Sequence, residues 1–356
     1  MTHSTQCRPK LTVATTLHLV IPGLLDAGPW LRLDPSFRPP NVPALAWLLA
    51  HATSTPVPVT TDAVLFELFG IPLPTDADLP VAAVSRLADG GGADDRWWWR
   101  ADPVHFRPDL LSVFLADARV LAIEPAEAQA LVAAFNQTFA TDGLQLEARR
   151  PERWYLPLAT PPQVRTQPLA LATGRDLRAL LPDGPAKGHW HKFLTEAQML
   201  FHTHPVNRCR EERGQPLISG IWLWGGGTLP PRAQAPAAGL YADDPLCRGL
   251  ARLADAAISP APLDAQDWRA AAAGEQDSLV VLETTRYDVA DGEPAVWAEH
   301  VSALEQPWFD PCRRLLQRGE LETLHLYPGN GRRYTVTKTA HWQFWRYPKP
   351  LTFYLN

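Results

Sequence analysis

Three short apolar runs and a fourth strand-like stretch govern what this chain can become: Leu17–Ile21, Ile218–Trp224 and Ser278–Leu282, then Glu322–Leu326. The first ends in Pro22-Gly23, the second in Gly225-Gly226-Gly227, and the third in Glu283. Runs of this length, unbroken by a polar alternation, are what a strand buried on both faces requires. Between them lie segments with helical signals. Asn41–Ala50 carries Pro43 in its first turn, where a missing N–H costs nothing. Asp62–Phe69 is stopped by Gly70, and Trp190–Phe201, Pro245–Ala257 and Trp297–Leu304 follow. Strands alternating with helices predict an α/β fold, a mostly parallel sheet with helices on both faces. Ligands of such sheets sit at the carboxyl ends of strands. The loops opening at Pro22, Gly225, Glu283 and Tyr327 are therefore the ones to inspect.

The middle of the chain breaks this rhythm. A Pro- and Asp-rich linker, Pro72–Pro80, leads into strand-like Trp97–Arg100 and Leu110–Leu115, a helix over Pro125–Phe139, and a strand over Trp154–Leu158 before Pro161-Pro162. This block reads as a small α+β domain, 76–164, inserted into a core made of 11–75 and 165–356.

Composition sets the outer limits. With 356 residues, 46% hydrophobic and 20% charged, the chain can bury a sizeable core, and disorder is excluded as its main state. A net charge of -5 provides no global attraction to nucleic acid or to an anionic membrane. No apolar run reaches the length of a membrane span. Lys10 followed by Leu11–Ile21 mimics a signal peptide only loosely, because Thr12, Thr15, Thr16 and His18 interrupt it. Cys7, Cys209, Cys247 and Cys312 form no Cys-x-x-Cys pair and no disulfide framework. Free thiols and a cytoplasmic location are the expectation.

The short motifs have plain readings beside their functional ones. Gly225-Gly226-Gly227 follows a strand, yet fits neither dinucleotide nor Walker A spacing, so a tight turn competes with a phosphate cradle. His189-Trp-His191 and His202-Thr-His204 would chelate a metal on strands; on the helix expected between them, i and i+2 point apart. Alternation along a strand sets Trp98 opposite Trp97 and Trp99, with at least one face packed in a core.

One stretch is more specific. His204-Pro-Val-Asn-Arg-Cys-Arg-Glu-Glu-Arg-Gly214 is similar to the His-Pro-Val-Asn-x-x-Arg-x-x-x-Gly signature of archaeal-type cofactor-independent phosphoglycerate mutases, of the alkaline phosphatase superfamily. Ile221–Gly227, Asn41–Ala50, Thr61-Asp62 with Leu68-Phe69-Gly70, and Arg100–Val104 ahead of Glu127–Phe139 resemble further stretches of that family, in its order. The likeness runs from about residue 17 to 353. It is closer still to a bacterial group named after a pathogenicity-factor regulation (Rpf) gene cluster.

The resemblance implies an alkaline-phosphatase-like core and phosphoryl transfer. Two divalent ions, usually manganese, would clamp the phosphate while a Ser hydroxyl attacks it. It assigns Thr61 to the nucleophile's place and His204, Asn207, Arg210, Arg213 and Arg100 to the substrate's side. Asn207 and the arginines equally suit a role in capping and tethering a helix. The metal cage maps only in part: Asp26, Glu283, Asp288 and His341 are its candidates. The first metal-binding Asp is replaced at Pro22-Gly23, a His falls at Gly292, and an Asp-His pair reads Gly329-Asn330. Two close divalent ions need several anionic ligands to offset their repulsion. The expectation is a degenerate, non-catalytic relative with a binding or regulatory role, needing no cofactor and taking a small phosphorylated metabolite or a protein as partner. The alternative is an active Mn2+- or Mg2+-dependent mutase or phosphatase working through Thr61.

Overall fold

The computed structural model describes residues 16–355 apart from 29, 31–36, 109–112, 273–276 and 344. Its strands, in chain order, are β1 (Thr16–Val20), β2 (Thr53–Pro56), β3 (Trp97–Pro108), β4 (Val113–Ala116), β5 (Glu147–Arg150), β6 (Arg153–Leu158), β7 (Gly220–Gly227), β8 (Gly239–Tyr241), β9 (Asp277–Val281), β10 (Thr323–Tyr327) and β11 (Arg332–Thr337).

Six of them form one sheet in the order β2-β11-β10-β1-β9-β8. The strands β10, β1, β9 and β8 are parallel, with Leu17 opposite both Leu324 and Ser278; β11 is antiparallel to β10 and to β2. The apolar runs explain this sheet. Leu17, Leu19, Val280, Leu324 and Leu326 enter one core with the helices Pro43–His51, Pro294–Ala303 and Asp310–Gln317. Val20, Leu279, Val281 and Tyr327 enter the opposite core with the helices Thr61–Leu68, Val81–Ala88 and Pro245–Leu253. Both faces are covered, as a mostly parallel sheet requires. The expected α/β class with helices on both faces is what the chain has.

The second sheet is antiparallel, ordered β4-β3-β6-β5, with β7 also on β3. Here the sequence reading of one run is corrected. Ile218–Trp224 was expected in the core sheet, but β7 pairs with β3, Ala101 facing Leu223 and Pro103 facing Ile221. A strand buried on both faces looks the same in either kind of sheet, and β7 is buried along almost its whole length. The loop after Gly225 is therefore not at the carboxyl end of a core strand. The segment 76–164 supplies β3 to β6; β7 comes from beyond it, as do helix Lys187–Thr203 and its Trp190, Phe193 and Phe201, which pack with Leu131, Phe135 and Trp154.

The tryptophans alternate as the strand pattern demands. Trp98 packs with Ala82, Ala83 and Tyr155, while Trp97 and Trp99 meet edge to face at 5.0 Å on the other side. Gly226 has a packing reason: a Cβ there would stand 2.1 Å from the Trp97 ring and 2.7 Å from Trp99 Nε1. Close approach, not phosphate binding, accounts for this glycine. Among the described residues, no helix is long and apolar enough to cross a membrane.

Candidate functional site

Between the two sheets lies a cleft of about 370 Å³. The core sheet contributes the loops at the carboxyl ends of β8 and β9, with Asp243, Asp244, Glu283, Arg286 and Tyr287. Asp62, from the first turn of helix Thr61–Leu68, completes that side, while Arg100, Asp102, Glu152, Arg153 and Trp224 face it from the second sheet. Local signals place these side chains. Asp244 caps helix Pro245–Leu253, accepting a 2.7 Å bond from the Cys247 N–H, with Pro245 at the first helical position. Thr60 caps the helix that carries Asp62.

Seven carboxylates line the cleft: Asp62, Asp102, Asp117, Glu152, Asp243, Asp244 and Glu283. Four guanidiniums face them: Arg100, Arg119, Arg153 and Arg286. Each guanidinium is already paired. Arg100 binds Asp102 at 2.8 Å, and Trp224 donates to the other oxygen of that carboxylate, also at 2.8 Å. Arg119 bridges Asp117 and Asp291 and lies 3.8 Å from the centre of the Tyr287 ring. Arg153 binds Asp89 and Glu152. Arg286 donates to Asp244, to Glu283 at 2.9 Å and to Asp62 at 3.2 Å. Burial pushes the Asp62 carboxyl up, opposed by Arg286. Burial, reinforced by Asp244, does the same to Glu283.

The residues singled out in the sequence are dispersed. Thr61 opens its helix, but does not line that cleft. It borders a crevice of about 10 Å³ with Val59, Tyr327, Gly329 and Arg332, room for no more than about one water. Asp26 lies on another side of Gly329. A Cβ on Gly329 would stand 3.0 Å from an Asp26 carboxyl oxygen and 2.8 Å from the Gly23 nitrogen, and the backbone there has φ +90°. Burial raises the Asp26 carboxyl to about 6. Asp288 is buried and bound at 2.9 Å by Nδ1 of His300. His341 stands in the turn Ala340–Trp342, and its side chain is outside the described residues.

The signature stretch lies elsewhere. None of His204, Asn207, Arg210 and Arg213 lines the cleft around Arg286. His204 caps helix Pro205–Glu212, accepting from the Val206 N–H. Asn207 donates to the Phe201 and Ile218 carbonyls at 2.8 Å and accepts from the Ile218 N–H at 2.9 Å. Arg210, buried, ties Pro216, Leu121 and Glu127 together. Arg213 is exposed at the helix end. Of the residues named, Arg100 and Glu283 share the cleft.

The donor set tests the two-metal cage that the resemblance implies. Among the described residues, no group of three or more His, Cys, Asp or Glu is placed to hold a metal ion. Glu283 is held by Arg286 and Asp288 by His300, while Pro22, Gly23 and Gly329 provide no side-chain donor. The residues present do not fit that cage.

Sequence reasoning missed Arg286, Asp244 and His300. The first two carried a signal: a cation four residues beyond a buried strand, and an acid directly before a proline that starts a helix.

The fold, a mostly parallel α/β sheet with an antiparallel unit facing its carboxyl ends, defines the class; similarity to known proteins narrows it. No protein-family model matches the chain. The 2,3-bisphosphoglycerate-independent phosphoglycerate mutase 2 of Methanothermobacter thermautotrophicus is 30% identical over 145 residues, 36% of this chain. The matched stretch spans 33% of that relative's length. The PH0037 protein of Pyrococcus horikoshii superposes with a TM-score of 0.55 at 13% identity, over 96% of this chain and 92% of its own. A cofactor-independent phosphoglycerate mutase from Thermoplasma acidophilum gives a TM-score of 0.43 at 16% identity, over 91% and 89%. The chain shares the overall fold of the PH0037 protein and has a partial sequence similarity to a phosphoglycerate mutase.

Proposed function

We propose that this chain is a non-catalytic protein of phosphoglycerate-mutase-like fold that binds a small molecule in the cleft, in a regulatory role. One observation carries the reading. Where the resembled family keeps Asp-Gly and Asp-His after two core strands, this chain has Pro22-Gly23 and Gly329-Asn330, and Gly329 is packed too closely on Gly23 and Asp26 to accept a side chain. A single substitution would not restore the lost ligands.

The charge of the cleft bears on what it binds. Seven carboxylates outnumber four guanidiniums, and every guanidinium already has an acidic partner. A phosphate ester would meet guanidiniums whose charge is already offset by a carboxylate. A cationic or zwitterionic small molecule meets a favourable wall instead.

The test is a phosphoglycerate mutase assay with millimolar Mn2+ on the wild type beside Thr61→Ala, in protein shown to be folded. No turnover in either is the expected result. Turnover that depends on Thr61 would overturn the reading and make the chain an enzyme with a deviant site.

A further inference from the structure

Sequence motifs that the cleft leaves unused meet in a second place. The Pro- and Asp-rich stretch 71–80, Trp97, Pro161-Pro162 and Gly226-Gly227 line one groove of about 970 Å³, at the upper end of the range for small-molecule sites. It shares no lining residue with the cleft around Arg286. Its walls are stiff. Eight of the residues that line it are prolines, whose φ is fixed. Its two banks are tied together: Asp78 accepts from the Thr166 N–H at 3.1 Å and from the Thr166 hydroxyl, and Arg165 binds Asp76 at 3.1 Å. At Gly227 a Cβ would stand 2.7 Å from Pro80, so this part of the wall is bare backbone. A ligand entering such a groove has little left to order, which removes one of the main costs of binding.

The chemistry of the groove is one-sided. Proline has no N–H, so its eight prolines give a ligand acceptors and apolar surface but no donor. Half-buried Trp97 adds an aromatic ring. Three carboxylates line the groove against one guanidinium. Asp76 is matched by Arg165, and Asp183 by Lys187 at 2.9 Å. Among the described residues, Asp78 has no cation bonded to it; its partners are the N–H and hydroxyl of Thr166. Burial pushes its carboxyl up, opposed by those two bonds and by Arg165. An ammonium, with three donors and no acceptor, answers this set. A phosphate or a carboxylate would meet net negative charge.

We propose that this groove is a second binding site, for an organic amine with a flat apolar body. The ammonium pairs with Asp78, and the body lies against the proline walls and Trp97, where an aromatic ring packs well. The inference holds whether or not the cleft takes a ligand.

The experiment is a calorimetric titration of the full chain with phenethylamine, with its uncharged analogue phenethyl alcohol and with its anionic analogue phenylacetate. The amine is expected to bind saturably and at least about tenfold more tightly than the alcohol, while phenylacetate does not bind. Asp78→Asn keeps an acceptor for Thr166 and removes the charge. It should weaken the amine at least about tenfold and leave the alcohol unchanged. Para-bromophenethylamine soaked into crystals of the wild type, located by the anomalous signal of its bromine, should lie in the groove with its ammonium beside Asp78, whether or not the variant folds. Absence of saturable amine binding would overturn the proposal. So would an amine that binds no better than the alcohol, one that folded Asp78→Asn binds as wild type does, or a bromine found only in the cleft around Arg286. None of these readouts depends on turnover, so they stand apart from the mutase assay.

Discussion

Asn207 shows how a residue that resembles a substrate ligand can be wholly occupied by its own fold. Its amide bonds on both sides to the backbone of Ile218 and reaches the Phe201 carbonyl, so it locks helix Pro205–Glu212 to the strand that follows. Asn207→Ala would orphan a buried N–H and a carbonyl at Ile218, and the expected cost is about 2–3 kcal/mol of stability. Urea unfolding would measure it. A variant with unchanged stability would mean that these bonds are not holding the helix. Arg286 makes the converse point. Its place four residues beyond a buried strand marks it, but two of its partners, Asp62 and Asp244, are far away in sequence and only the fold reveals them. A single residue's chemistry was legible where its neighbours in the chain decide it, as for the Asp244 cap, and illegible where the tertiary fold decides it.

The elements themselves were largely legible. The stretches around Leu17, Ser278 and Thr323 became β1, β9 and β10, neighbours in the core sheet, and the proline-started helices at Pro43, Pro125 and Pro245 formed, the last ending at Leu253 rather than at Ala257. What failed was pairing. β7 looked like a core strand because burial on both faces erases the alternation that separates the two sheets. Helix Val81–Ala88 went unread behind the linker, and three-residue β8 is too short to leave a pattern. The contact of β7 with its surroundings can be tested at Gly226. In Gly226→Ala the new methyl meets the Trp97 ring, and the expected loss is about 1–3 kcal/mol, read as a lower thermal midpoint. An unchanged midpoint would show that Trp97 yields freely.

The stability of the molecule as a whole should carry the mark of two half-buried groups with opposite demands. His18 and His325 sit side by side on β1 and β10, rings 4.8 Å apart, with Asp277 and Arg333 close by. Burial, then His18 and Arg333, lowers His325 to about 4. The unfolded chain therefore takes up this proton first, and the contribution of His325 is intact above about pH 6.5 and lost as the pH falls toward 4. Asp26 runs the other way: burial raises it from 3.8 to about 6, so the folded state holds its proton longer. Its contribution is largest below 3.8 and is lost as the pH rises through 6. His325→Gln should accordingly gain stability relative to wild type more at acid than at neutral pH, and Asp26→Asn more at neutral than at acid pH. Denaturation midpoints at the two pH values decide this; parallel curves for wild type and both variants would refute it.

The position of β1 also bears on how the molecule is made. Its two neighbours in the sheet, β9 and β10, are residues 277–281 and 323–327, at the other end of the described chain. Emerging from a ribosome, β1 has no partner until nearly everything else has been synthesised. The antiparallel sheet and its helices, all complete by Gly227, can assemble in the meantime. The order of folding is thus set by topology: the intervening unit first, the parallel sheet last and slowly, because closing so long a loop costs entropy before any contact repays it. During that wait an apolar strand stands open, which makes the nascent protein, rather than the finished one, the form most in need of a chaperone.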